Sequence, residues 1–198
     1  MTGTVAGMVL AAGGSLRLGR PKQLLPFRGR TMLDAVLDTA RSCGFDQLLV
    51  ALGGASDEVR AAVDLHGCDV VENPGFGAGC SSSIAAALPS LSSSTDMLVL
   101  LLGDQPEVTV DAVRRLLVGR GDAPLSVCRY DDGRGHPFAF GRTMLPHLAA
   151  MHGDKAVWRL LDEHAAAVTE VEVPGPVPLD VNTTADYHHL LATSGEKR

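Results

Sequence analysis

Short apolar runs alternate along the chain with segments whose apolar positions recur every three or four residues. Val5–Ala11, Gln47–Leu52, Cys68–Glu72, Met97–Leu102, Leu125–Arg129 and Val168–Val173 have the length and composition of strands. Thr31–Cys43, Ser56–Leu65, Ser81–Leu88 and Val110–Val118 lie between the earlier ones and have helical spacing. Strand, helix, strand in succession predicts βαβ units. The fold class is therefore α/β, a three-layer α/β/α sandwich with a mostly parallel sheet. The first helix carries its own signals: Thr31 with Asp34 forms a capping box, Leu33, Val36, Leu37 and Ala40 share a face, and Gly44 closes the end.

Beyond Arg129 the pattern changes. "YDDGRGHPFAFGR" predicts a turn and a short strand, with helices over Thr143–Met151 and Asp154–His164. After the strand Val168–Val173 comes a proline-rich turn, then a last helix from about Thr183, where Asp186 completes a second capping box. The Ser-rich stretch 89–95 reads as a connector within one domain, and the closing "TSGEKR" as a frayed end. A single domain spanning 1–198 is the expectation.

Composition narrows the partners. A net charge of −6 is unsuited to wrapping a nucleic acid, which needs a basic face. No run approaches the roughly 18 apolar residues of a membrane span. Cys43, Cys68, Cys80 and Cys128 contain no CxxC pair, so neither a zinc ribbon nor a disulfide framework is expected, and a reducing cytoplasm suits the chain.

The first strand runs into "LAAGGSLRLGRPKQLLPF", where three glycines leave the backbone bare and Arg17, Arg20 and Lys22 add positive charge. Bare amides beside fixed cations suit a polyphosphate. The glycine spacing is wrong for a dinucleotide fingerprint, and no acidic residue ends the second strand to hold a ribose. A triphosphate also requires a divalent cation on carboxylates. "MLVLLLGDQP" delivers Asp104 from the end of a strongly apolar strand, on the edge where parallel sheets bind ligands. Of the 17 Lys and Arg residues only Lys22, Lys155 and Lys197 are lysines.

Leu10–Gly19, Lys22 with "LLPF", and "GDQP" resemble the MobA-like nucleotidyltransferase family, most closely its molybdenum cofactor cytidylyltransferase branch. "NPGFGAGCSSSI", "GHPFAFGR", "GDKAVWRLL" and "LDVNTTADY" extend the resemblance in order over nearly the whole chain. It implies a Rossmann-like, GT-A-like nucleotidyltransferase fold, with nucleotide contacts before about residue 105 and acceptor contacts after it. Leu10, Ala11, Ala12, Gly13, Gly14 and Ser15 would wrap the nucleotide, and Arg17 and Lys22 would neutralise its phosphates. Asp104 would bind magnesium, with Asp180 or Asn182 as the second metal-side ligand; the branch commonly has aspartate where Asn182 stands and methionine where Leu18 stands. Asn73, Gly79 and Ser82 would face base or ribose, and His136, read as a turn histidine, would meet the acceptor. Trp158 reads as core.

The implied reaction moves CMP from CTP to a molybdopterin-type acceptor with Mg2+, and implies transient contact with a molybdoenzyme or its chaperone. Cytidine is favoured because the loop reads "LAAG" where the guanylyl branch has "LAGG". Transfer to a sugar phosphate, or non-catalytic carriage of the cofactor, would use the same loop.

Overall fold

The computed structural model describes residues 3–195. The expectation for the extreme carboxyl end, 196–198, lies outside them. In chain order the elements are β1 (Thr4–Ala11), a small hairpin of β2 (Pro26–Phe27) and β3 (Arg30–Thr31), α1 (Met32–Ser42), β4 (Gln47–Leu52), α2 (Ser56–Ala62) and β5 (Asp69–Glu72). Then follow α3 (Cys80–Ala87), β6 (Thr95–Leu102), α4 (Val110–Gly119), β7 (Leu125–Tyr130), β8 (Gly133–Gly141), α5 (Leu145–Ala149), α6 (Ala156–Glu163), β9 (Val168–Glu172) and α7 (Thr184–Thr193). No helix among the described residues is long and apolar enough to cross a membrane.

One seven-stranded sheet, in the order β5-β4-β1-β6-β8-β7-β9, runs through the molecule. β1 pairs in parallel with β4 and β6, and β4 with β5, so their carboxyl ends open on one edge. Alternate residues of each strand enter opposite layers. Val9, Val50, Val99 and Leu101 pack against α1 and α4, whereas Met8, Leu49, Leu98, Leu100, Phe138 and Phe140 pack against α3, α5 and α6. A smaller cluster of Leu25, Phe27, Met32, Val181, Tyr187 and Leu190 fastens the hairpin and α7 beside the sheet. Both predicted capping boxes form, at Thr31–Asp34 and Thr183–Asp186.

β8 departs from expectation. It is nine residues long, antiparallel to both neighbours, and lies inside the sheet between β6 and β7. Gly133, Gly135 and Pro137 read as turn residues, yet the register shifts between Val127 and Cys128, and the resulting bulge accommodates them. Because β8 runs backwards, its first residues arrive at the edge where β1 and β6 end. The predicted helix over Thr143–Met151 is a single short turn of 3-10 helix, Arg142–Met144, and the five-residue α5, with Pro146 in its first turn.

Candidate active site

The edge formed by the ends of β1 and β6 carries a cavity of about 420 Å3 lined by Leu10–Gly13, Arg17 and Lys22 from one side and by Asp104, Asp180 and Asn182 from the other. Lys22 is brought there by a 3-10 turn over Lys22–Leu24, and its backbone N–H donates to Ser15 Oγ at 2.9 Å. Its ammonium forms an ion pair with Asp104 and donates to Asn182 Oδ1 at 3.1 Å. Val181 N–H donates to the Asp104 carbonyl at 3.1 Å, which ties the 178–182 segment to the end of β6. The glycine-rich turn and Asp104 therefore converge, although 82 residues separate Lys22 from its carboxylate partner.

The shape of the loop depends on a residue that composition does not single out. Gln23 is buried, and its Nε2 donates to the carbonyls of Ala11 (2.6 Å) and Gly13 (3.0 Å). In a planar trans peptide the N–H points opposite to the carbonyl, so the amides of Ala12 and Gly14 face away from Gln23. Ser15 sits at φ 51°, which completes the turn. Gln23→Met keeps the volume but strands the buried Ala11 carbonyl, a loss of about 1–3 kcal/mol, and releases that of the exposed Gly13. Steady-state kinetics should show the KM for the nucleotide rising about tenfold, with the KM for the acceptor unmoved.

Phe76 also lines the cavity. A Cβ on Gly53 would meet the Ala12 carbonyl at 2.5 Å and Phe76 Cβ at 2.9 Å, so only glycine lets the turn after β4 lie against the loop after β1. Gly79, at φ 97°, opens the start of α3 beside Asp154, and both line the cavity. Asn73 and Ser82 do not. Asn73 is buried, its Nδ2 donates to the hydroxyls of Ser82 and Ser83, and its Oδ1 accepts from Gly75 N–H, so it braces the 73–83 loop from behind. Gly14 and Ser15 shape the loop without lining the cavity, and Arg20 lies over the Tyr187 ring at 6.0 Å.

His136 is not in a turn. It lies in β8, 9% exposed, 4.1 Å from Phe138 and 6.4 Å from Trp158 between ring centroids, and borders the cavity. The reversed strand places it there. Trp158 is half-buried: it packs against the core, 5.0 Å from Phe138 between ring centroids, and also borders the same wall. Burial pushes the His136 imidazole down to about 3, so it is neutral at ordinary pH. An unfolded chain binds a proton at this residue near 6.5 and the folded chain does not until about 3, so His136 makes stability rise with pH across that window and fall on acidification. His136→Gln should flatten this dependence by up to about 1.4 kcal/mol per pH unit, measured by urea denaturation against pH. Asp180 opposes it above 3.8, because burial and then the Asp104 charge raise its carboxyl, so the comparison with wild type is the informative quantity.

Cys80 lines the cavity, with burial and then the charges of Asp104 and Asp154 pushing its thiol up to about 11. A protonated thiol is no nucleophile. Among the described residues no three His, Cys, Asp or Glu side chains gather into a metal-holding group. What remains is a bare glycine-rich turn, Arg17 and Lys22, the carboxylates of Asp104, Asp154 and Asp180 and the Asn182 amide carbonyl, a set that can position and neutralise phosphates without covalent catalysis.

Residues 7–168 match the model of the MobA-like NTP transferase domain. This chain belongs to that family. As a MobA-like enzyme it is a nucleotidyltransferase. It is 34% identical over 197 residues to nicotine blue oxidoreductase of Paenarthrobacter nicotinovorans, covering 94% of this chain and 96% of the relative. The crystal structure of Rv0371c from Mycobacterium tuberculosis H37Rv superposes with a TM-score of 0.90 at 48% identity, covering 97% of this chain and 100% of the other. A second structure of Rv0371c is a complex with manganese, with a TM-score of 0.85 at 46% identity and coverage of 96% and 99%. A nucleotidyl transferase from Methanothermobacter superposes with a TM-score of 0.82 at 25% identity, covering 96% and 97%.

Proposed function

We propose that the chain transfers CMP from CTP to a molybdopterin-type acceptor with Mg2+, releasing pyrophosphate. The observation that carries this reading is the meeting of Lys22, Asp104 and Asn182 beside the Leu10–Gly13 turn in one cavity. The loop amides, Arg17 and Lys22 hold the triphosphate, and the residues up to about 105 form the nucleotide part. Those after it, His136 among them, form the acceptor part.

The donor set fits a hard divalent cation. Burial and then the Asp104 charge raise the Asp180 carboxyl, and the Lys22 ammonium already occupies the gap between Asp104 and Asn182. Two carboxylates and an amide oxygen leave coordination positions for phosphate and water, as magnesium and manganese require. Bound there, the cation would supply charge neutralisation to the phosphates. An oxygen of the acceptor's terminal phosphate attacks the α-phosphorus in line, the bond to the bridging oxygen breaks, and its electron pair leaves with pyrophosphate. Arg17 and Lys22 hold that departing charge. The reaction runs in the cytoplasm, with the product passed to a molybdoenzyme or its chaperone by transient contact.

Purified protein incubated with Mg2+, each NTP in turn and molybdopterin tests this by pyrophosphate release. CTP-dependent release is the expected result. Release only with a sugar phosphate would replace the acceptor, while binding of the cofactor without turnover would make the chain a carrier. Oxidation or reduction of a substrate without pyrophosphate release would favour the chemistry named for the Paenarthrobacter relative.

A further inference from the structure

Three carboxylates line the cavity beside the glycine-rich turn, and two of them have side-chain partners: Asp104 pairs with Lys22, and Asp180 accepts from Gln105 Nε2 at 2.6 Å. The third, Asp154, lies just before α6 and enters no ion pair among the described residues. Arg159 of that helix donates to the His152 carbonyl instead. We propose that Asp154 is a positioning residue: it closes a second, unproductive place for phosphate in the cavity and so confines the triphosphate to the glycine-rich turn and Lys22. The proposal rests on the nucleotidyltransferase reading and adds to it the group that orients the nucleotide.

Asp154 reaches its place from a distant part of the chain. Its Oδ1 accepts from the Cys80 N–H at 3.2 Å, 74 positions away. A Cβ on Gly79 would run into that same oxygen, and would meet Asp154 N at 3.0 Å and Gly153 C at 3.1 Å, so glycine is what lets the carboxylate lie against the start of α3. The helix does not supply such a group itself. Gly79 has no side chain, the first turn holds no acidic residue, and Ser82 Oγ donates back to the Gly79 carbonyl at 2.7 Å rather than accepting from a backbone N–H.

The charge of this carboxylate decides what else can come there. Backbone N–H groups that open a helix attract phosphate as those of a glycine-rich turn do, so a cavity containing both offers a triphosphate two places to lie. Only the first is beside Arg17, Lys22 and Asp104. A phosphate approaching the Cys80 N–H meets a like charge already bonded to it, and that repulsion removes the wrong arrangement without adding any contact to the right one. The Cys80 thiol lies in the field of both carboxylates: after burial, the charges of Asp104 and then Asp154 raise it. A cation held by Asp154 would need further ligands, and among the described residues no three His, Cys, Asp or Glu side chains gather there.

The test is calorimetric titration of the full chain with inorganic pyrophosphate at saturating Mg2+, in wild type, Lys22→Ala, Asp154→Asn and the double variant. Asparagine keeps an oxygen for the Cys80 N–H and the shape that fits against Gly79, so this substitution removes the charge and leaves the contact. Asp154→Ser, neutral and smaller, should give the same pattern. Lys22→Ala should weaken pyrophosphate binding by about 30-fold or more where Asp154 is present, and by less than about fivefold where Asn replaces it, because the second place is then open. A purely structural role would leave the loss at Lys22 the same in both backgrounds. General relief of negative charge would strengthen binding by one common factor, again leaving that loss unchanged. Either result overturns the assignment. In turnover, Asp154→Asn should lower kcat and the KM for CTP by the same factor, since unproductive binding leaves kcat/KM as it was; a fall in kcat/KM would place Asp154 in the chemistry and overturn it too. A wild type that binds neither CTP nor pyrophosphate would strike the nucleotidyltransferase reading, and this proposal with it.

Discussion

Replacing Lys22 by alanine is expected to reduce the rate of pyrophosphate release by about 10²–10³, the scale seen when one preorganised electrostatic group is removed from a reaction centre. The side chain reaches Asp104 and Asn182 together, so its loss removes a positive charge and separates two elements that it joins. Asp104 and Asp180 are then left without that cation between the metal-side ligands, and the variant should need less Mg2+ to reach half-maximal rate. Lys22→Arg is not expected to rescue it. A planar guanidinium is wider than an ammonium and cannot sit between one carboxylate and one amide in the same way. Single-turnover measurements at saturating Mg2+ separate these effects, and a rate within tenfold of wild type would remove Lys22 from the chemistry.

Phe140→Ala is expected to cost about 3–5 kcal/mol of folding stability, with the m-value unchanged in urea. Phe140 is fully buried, stands edge-on to Phe138 at 6.4 Å, and faces Leu98 on β6 and Leu125 on β7. Three strands therefore meet at one ring, and none can move inward alone to fill the space. A cost under about 1 kcal/mol would mean that this layer relaxes as few cores do.

Most of the frame was legible because the periods of two and 3.6 residues are local. Thr31–Asp34 and Thr183–Asp186 announced their helices within four positions, and both caps form. The convergence of Lys22 and Asp104 was also readable, since parallel strands open their ends on one edge. What stayed hidden depended on pairing between distant segments. Gly133–Pro137 has turn composition, and only its place between two partners makes it strand, so His136 read as a surface residue. Trp158 read as core and does pack there, but an apolar helix face does not disclose that one of its positions also borders a cavity. Gln23 carried no sequence signal apart from adjacency to Lys22, and Asn73 and Ser82 belong behind the loop they were expected to line.

The reversed direction of β8 has a further consequence. A short local excursion of the chain, Arg129 to Gly141, supplies His136 to the cavity wall, while the glycine-rich turn, Lys22 and Asp104 come from elsewhere in the sequence. Diversification can therefore proceed by exchanging this one hairpin while keeping the glycine-rich turn, Lys22 and Asp104. A graft of these residues between family members is the smallest unit through which a new acceptor preference could be inherited.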